Sequence, residues 1–166
     1  MKKVFLTVLT LIFIADCGKP FEEAHKQSLD ELKSRKNQAI SMDDFYSKYL
    51  KDKTELQINA QKEEWKKNNN WPVISFNQKI FKISDTGSSS TNFVDKNKKQ
   101  FAHVSLESYK FEIYNSKSIN PDLYFLKKEA MSLKDGQNLK GYGIISSFMY
   151  SNIVGFIIGI YPVIIE

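Results

Sequence analysis

Cys17 is the only cysteine of this 166-residue chain, and its position suits acylation of its thiol. Met1-Lys2-Lys3 is a short basic start, and residues 4–15 form an apolar run interrupted only by two threonines. A basic start followed by such a run predicts a secretory signal, because the run is too short to span a bilayer stably. We therefore expect residues 1–16 to be a signal peptide that is removed.

The residues around Cys17 resemble the lipobox of bacterial lipoproteins, in which aliphatic residues and a small residue precede the acylated cysteine. The resemblance implies lipidation of Cys17, and Gly18 after it implies the outer membrane, with the protein facing the periplasm. Several acyl chains anchor a protein far more firmly than one. Asp16 departs from the pattern, since Gly, Ala or Ser normally precedes the cysteine. If Asp16 prevents this processing, an ordinary signal cleavage leaves a soluble periplasmic protein.

Beyond Cys17, the chain has no residues with the spacing of a familiar catalytic or metal site. Two histidines and one cysteine cannot assemble a structural zinc site, and no Gly-x-Ser-x-Gly or His-Glu-x-x-His motif is present. Gly141-Tyr142-Gly143 lies within a predicted strand, where barrel curvature explains glycine better than phosphate binding does. We expect a protein that is not an enzyme and has no cofactor or metal.

The charge balance argues against nucleic acid as the main partner. The chain carries 24 Lys+Arg against 19 Asp+Glu, but Arg35 is the only arginine. Bidentate recognition of phosphates and bases favours the guanidinium group. The length suits one domain, and 42% hydrophobic residues can fill one core.

Two segments precede the first predicted strand. Residues 17–40 are polar with sparse apolar positions, which predicts a helical or partly frayed tether with a solvated His25. Residues 41–70 predict an amphipathic helix in which Ser41 and Asp44 cap the first turn. Its apolar stripe is expected to pack on the sheet and comprises Met42, Phe45, Tyr46, Tyr49 and Leu50.

From Trp71 onward the hydrophobic period changes to two, which predicts strands. A phase slip in the first strand, 73–83, predicts a bulge near Asn77-Gln78. The second strand, 100–106, is expected to form a hairpin with the third, 109–114. Pro121-Asp122 can open a short helix reaching Met131, and the last two strands are predicted over 138–147 and 153–165.

The segment from Gly141 to Ile165 contains no charged residue and is long enough to cross a bilayer as a helix. A polar break at Ser146-Ser147 and Ser151-Asn152 argues for two strands, as does the abundance of isoleucine, valine and aromatic residues. No positive residue anchors the far end. A membrane span remains the alternative.

Residues 41–166 resemble the bacterial envelope OB-fold proteins described as tRNA-anti-like. The resemblance rests on an ordered set of motifs: Phe45-Tyr46-Ser47-Lys48-Tyr49, Trp65-Lys66, the long strand from Val73, and the segment Leu133 to Gly141. It implies a mainly β fold, a five-stranded Greek-key OB barrel over 71–166 preceded by a helical segment. Asn77 stands where the family has a glycine.

An OB barrel places its ligand site on the outer face of its second and third strands and in nearby loops. Candidate residues on that face are Phe101, His103, Tyr109, Lys110, Glu112 and Tyr114, with Lys98 and Lys99 in the preceding loop. Aromatic rings beside lysines can stack on bases or sugars and hold a polyanion. The same residues also suit cross-strand packing and solubility.

These features predict a non-catalytic secreted lipoprotein of the cell envelope with an OB-fold binding module. The expected partners are the membrane, through the N-terminal lipid, and an envelope protein or glycan. The alternatives are a single-stranded nucleic-acid-binding protein and a C-terminal membrane span, and the oligomeric state is left open.

Overall fold

The computed structural model describes residues 21–85, 92–113, 116–151 and 155–166. The signal peptide, Cys17 and Tyr114 lie outside the described residues. The fold is mainly β with a helical segment at its N-terminal side, as predicted. The strands are β1 (Val73–Asp85), β2 (Phe101–Leu106), β3 (Tyr109–Ile113), β4 (Ser116–Leu126), β5 (Asn138–Ser151) and β6 (Gly155–Ile165). The helices are α1 (Phe21–Ser34), α2 (Met42–Phe45), α3 (Glu55–Asn68), α4 (Asn92–Lys96) and α5 (Lys127–Ala130).

Helix α1 forms within 17–40, where the sequence predicted a helical or partly frayed tether, and it packs against the barrel. Leu32 is fully buried, and His25 is 9% exposed. The Phe21 ring lies 5.6 Å from that of Phe93 and 5.8 Å from that of Phe101. These apolar contacts lie on one face of α1, which was too sparse in apolar residues to stand out in the sequence.

The helix predicted over 41–70 is two helices. Ser41 caps α2 by accepting a hydrogen bond from the Asp44 amide at 3.0 Å, as predicted, and α2 continues as a π-helical turn to Leu50. Asp52 has a left-handed conformation, with φ 58°, and the chain changes direction there. Thr54 then starts α3 with a capping box formed with Gln57, and this second start divides the helix in two.

The bulge in β1 lies at Phe81 and not near Asn77-Gln78. Ile80 pairs with Leu106 and Lys82 with Ser105, so β1 has one extra residue. Asn77 pairs regularly with Lys140 on β5. The extra residue turns Phe81 outward, where it is 70% exposed.

The predicted hairpin between the second and third strands is wrong, because β3 pairs with β4. The predicted helix from Pro121 to Met131 is also wrong, since β4 continues to Leu126 and only α5 is helical. Pro121 lies between the part of β4 that pairs with β3 and the part that pairs with β2. Proline is tolerated where a ladder is interrupted.

Five strands close on one another. β1 pairs with β2 and β5, β2 with β4, and β5 with β6, all antiparallel, while β4 and β6 close the ring in parallel. The inner faces pack one core, with Ile74, Val104, Leu123, Ile145 and Ile160 among its most buried residues. Side chains alternate between this core and the outer face.

Residues 141–151 lie in β5 and residues 155–165 form β6, and the two strands pair as an antiparallel ladder. Within the described ranges, no helix has both the length and the apolar character needed to cross a membrane. Glycine lets the backbones approach here: a Cβ at Gly141 would overlap the carbonyl oxygen of Ile164.

Candidate functional site

A polar cluster lies on the outer face of β2 and β4, where the register places His103 opposite Tyr124 and Ser105 opposite Asp122. The Asp122 Oδ1 atom lies 3.0 Å from His103 Nε2 and accepts a hydrogen bond from Ser105 Oγ at 2.9 Å. The His103 ring stacks on Tyr124 with centroids 5.6 Å apart. We call His103, Ser105, Asp122 and Tyr124 the outer-face cluster.

Ser84, at the end of β1, extends the cluster. Its Oγ lies 3.4 Å from His103 Nδ1, so a carboxylate and a hydroxyl contact opposite nitrogens of the ring. The Ser84 contact is at the long end of the hydrogen-bond range. The cluster thus presents fixed donors and acceptors on a sheet surface.

A cleft of about 560 Å³ adjoins the cluster. Ser105 and Asp122 form part of its lining, together with Lys110, Asn120 and the outward-turned Phe81. Among the described residues that line it, Lys110 is the only lysine, and Glu107 and Asp122 supply two carboxylates. This charge balance suits a polar or mildly cationic ligand better than a polyanion.

Some of the predicted site residues are near this cleft and others are not. His103 belongs to the outer-face cluster, and Lys110 lines the cleft. Lys98 and Lys99 are exposed in a short 3-10 turn. The side chain of Glu112 and all of Tyr114 lie outside the description.

Phe101 and Tyr109, two of the predicted site residues, take part in the packing of the fold. Phe101 is on the outer face of β2 but is completely buried there against Phe21, Phe93 and Tyr161. Tyr109 pairs with the buried Ile119 and packs against the inner core, and burial raises the pKa of its phenol.

The residues of this site that were not predicted as site residues are Ser84, Ser105, Asn120, Asp122 and Tyr124. The sequence predicted a helix at Asp122, whereas the structure has a strand there, in which Asp122 pairs with Ser105 beside His103. A signal for the strand was present, because Ile119, Leu123 and Phe125 are separated by even numbers of residues and so share one face of a strand.

His25 forms a second polar group, under α1. Its Nδ1 lies 2.8 Å from the Tyr161 hydroxyl, and its Nε2 lies 3.7 Å from Glu129 Oε1. Burial lowers the pKa of His25, while Glu129 opposes this and Lys128 adds to it. Burial also raises the pKa of Tyr161. The expectation of a solvated His25 is wrong, and the residue instead fixes α1 to β6.

Among the described residues, no group of three or more His, Cys, Asp or Glu side chains could hold a metal ion. No protein-family model, no curated protein and no solved structure matches the chain.

Proposed function

We propose that this chain is a non-catalytic lipoprotein of the bacterial cell envelope, whose barrel is an OB fold that binds a ligand or partner on its outer face. The lipid anchor is supported by the lipobox-like sequence at Cys17. The binding role is supported by the outer-face cluster and its cleft.

The strand pairing supports the OB assignment. An OB barrel is a five-stranded Greek key, and five strands here form a ring that β4 and β6 close in parallel. In this assignment β1, β2, β4, β5 and β6 are the five barrel strands. The short β3 is an added hairpin arm on β4, and α5 is the helix between the third and fourth barrel strands. The tRNA-anti-like resemblance remains part of this proposal.

The observation that carries the binding role is the position of the cleft. It lies on the outer face of the second and third barrel strands, which is where OB folds bind ligands. Its donors and acceptors are fixed by the contacts of Asp122 with Ser105 and His103.

The anchor is tested by treating expressing cells with globomycin, which blocks the lipoprotein signal peptidase. The wild type is expected to accumulate as an uncleaved lipidated precursor in the detergent phase. Cys17→Ala lacks the thiol and is expected to be unaffected by the drug, as measured by mass and detergent partition. Mature, lipid-free wild-type protein in the periplasm would contradict the anchor and indicate that Asp16 prevents processing.

The binding face is tested with a photo-crosslinking amino acid in place of Lys110, or in place of the exposed Lys134 as the matched control. We expect a discrete envelope adduct from position 110 alone. Asp122→Ala should weaken partner binding about tenfold and lower the yield of this adduct, because hydrogen bonds to charged groups contribute about 1.5–3 kcal/mol.

Equal adducts from positions 110 and 134, or an adduct unaffected by Asp122→Ala, would contradict the binding face. The nucleic-acid alternative is tested with a fluorescent oligothymidylate. Binding that falls steeply between about 50 and 200 mM salt would favour that alternative over the proposal.

A further inference from the structure

A second cleft, of about 300 Å³, lies where the end of α1, the π-helical turn, α3 and the start of β1 meet. It shares no residue with the outer-face cleft. Three aromatic rings and several amide side chains line it, and we call it the aromatic–amide cleft. The residues that carry the argument are Tyr49, Gln61, Glu64, Trp65, Asn68 and Trp71.

The aromatic side of this cleft is held rigidly. Trp65 packs in the core, with its ring 6.0 Å from that of Phe45. The Tyr49 ring meets Trp65 edge to face at 5.0 Å, and the Trp71 ring lies 5.8 Å from Trp65. Tyr49 and Trp71 are only partly buried, so part of each ring faces the cleft. The negative face of an aromatic ring attracts the polarised C–H groups of a sugar.

The polar side supplies groups that match hydroxyls. Gln38, Gln61, Asn68 and Asn70 line the cleft, and each amide has both donors and acceptors. Gln61 donates a hydrogen bond to Glu64 at 3.1 Å, which orients both side chains. A sugar hydroxyl also donates and accepts, so such a rim suits it.

The charge of the cleft is nearly balanced. Arg35 is 14% exposed and donates to the Trp71 carbonyl at 2.6 Å and to Asn70 Oδ1 at 3.1 Å, with Glu31 3.3 Å away. The guanidinium group is therefore engaged in contacts that hold the edge of the cleft in place. The other charged lining residues are Lys48, whose Nζ lies over the Tyr49 ring at 5.0 Å from its centroid, and Glu64, so one cation faces one anion. A balanced cleft disfavours a polyanion such as nucleic acid.

We infer that the aromatic–amide cleft binds a neutral saccharide of one or two pyranose rings. Its volume is at the lower end of the range for small-molecule sites, which suits so short a ligand. The inference goes beyond the proposed function and rests on neither the lipid anchor nor the outer-face cleft, so each can fail alone.

The test uses the intrinsic fluorescence of the full chain. Trp65 and Trp71 are its only tryptophans, and both line the cleft, so the signal reports on this site. The probes are the disaccharides diacetylchitobiose, cellobiose and maltose, each titrated to about 10 mM so that weak binding is detected. We expect a saturable change with at least one sugar.

Two exposed carboxylates on α3 provide matched variants. Glu64→Ala removes a lining group and is expected to raise Kd by about threefold to tenfold, the effect of one lost hydrogen bond. Glu63→Ala removes the same charge from a residue that pairs with Lys66 and does not line the cleft, and it should leave Kd unchanged. Trp71→Leu, followed by calorimetry, should weaken binding at least tenfold.

The inference is overturned if none of the three sugars gives a saturable signal, or if Glu63→Ala and Glu64→Ala have equal effects. A saturable signal with an oligothymidylate or a short peptide, but with no sugar, would also overturn it. Both glutamates are exposed, so neither substitution should prevent folding.

Discussion

Phe45→Ala is expected to lower the free energy of unfolding by about 3–5 kcal/mol, the usual cost of removing a buried aromatic ring. Phe45 is completely buried, and its ring lies between Tyr49, Trp65 and Phe148 at 5.4–6.2 Å. Phe148 belongs to β5, so this ring joins the helical layer to the barrel. Urea unfolding followed by circular dichroism measures the loss.

Phe81→Ala is the matched control, because it removes the same ring from a position that is 70% exposed. Its effect should stay within about 0.5 kcal/mol. Similar losses for the two variants would mean that Phe45 does not join the helical layer to the barrel.

Gly141→Ala is expected to destabilise the barrel by about 3 kcal/mol or more, at the upper end of overpacking effects. Gly141 pairs with Phe76 on β1 and with Ile165 on β6, so the chain is fixed on both sides. The new Cβ would overlap the Ile164 carbonyl oxygen, a backbone atom that cannot rotate away. A urea midpoint, or a large loss of folded protein on expression, measures the effect.

Gly136→Ala is the control for Gly141→Ala, because it distinguishes the cost of steric overlap from the cost of replacing a glycine in a left-handed conformation. Gly136 has φ 79° and open space around its Cβ position, so only the left-handed conformation is penalised, by about 1–2 kcal/mol. If Gly136→Ala destabilised the protein as much as Gly141→Ala, the close approach of β5 and β6 would not be the cause.

The sequence predicted the structure best where apolar and polar residues recur with the period of a strand or a helix. Phe101 and His103 were predicted on the outer face of β2 and both lie there, while Ala102, Val104 and Leu106, which alternate with them, are buried in the core. The stripe from Met42 to Leu50 was also confirmed. Burial imposes these periods directly, so they can be predicted without knowledge of the neighbours.

The errors arose where a local signal was outweighed by pairing with distant residues. Pro121-Asp122 is a good helix start in isolation, but β4 is stabilised by ladders to three other strands. Placing Asp122 beside His103 required the β2–β4 register, which no local pattern reveals. Of the four residues of the outer-face cluster, only His103 was therefore a predicted site residue. The aromatic–amide cleft was not predicted, since Arg35 and Trp71 meet only in the folded chain.

The packing of α1 determines how far the barrel could stand from a membrane. If Cys17 carries the lipid, only Gly18, Lys19 and Pro20 separate it from the first residue of α1. Even fully extended, the chain from Cys17 to Phe21 spans about 14 Å. Phe21 and His25 hold α1 on the barrel. This short linker would therefore keep the barrel close to the lipid surface and restrict the directions in which its clefts can point.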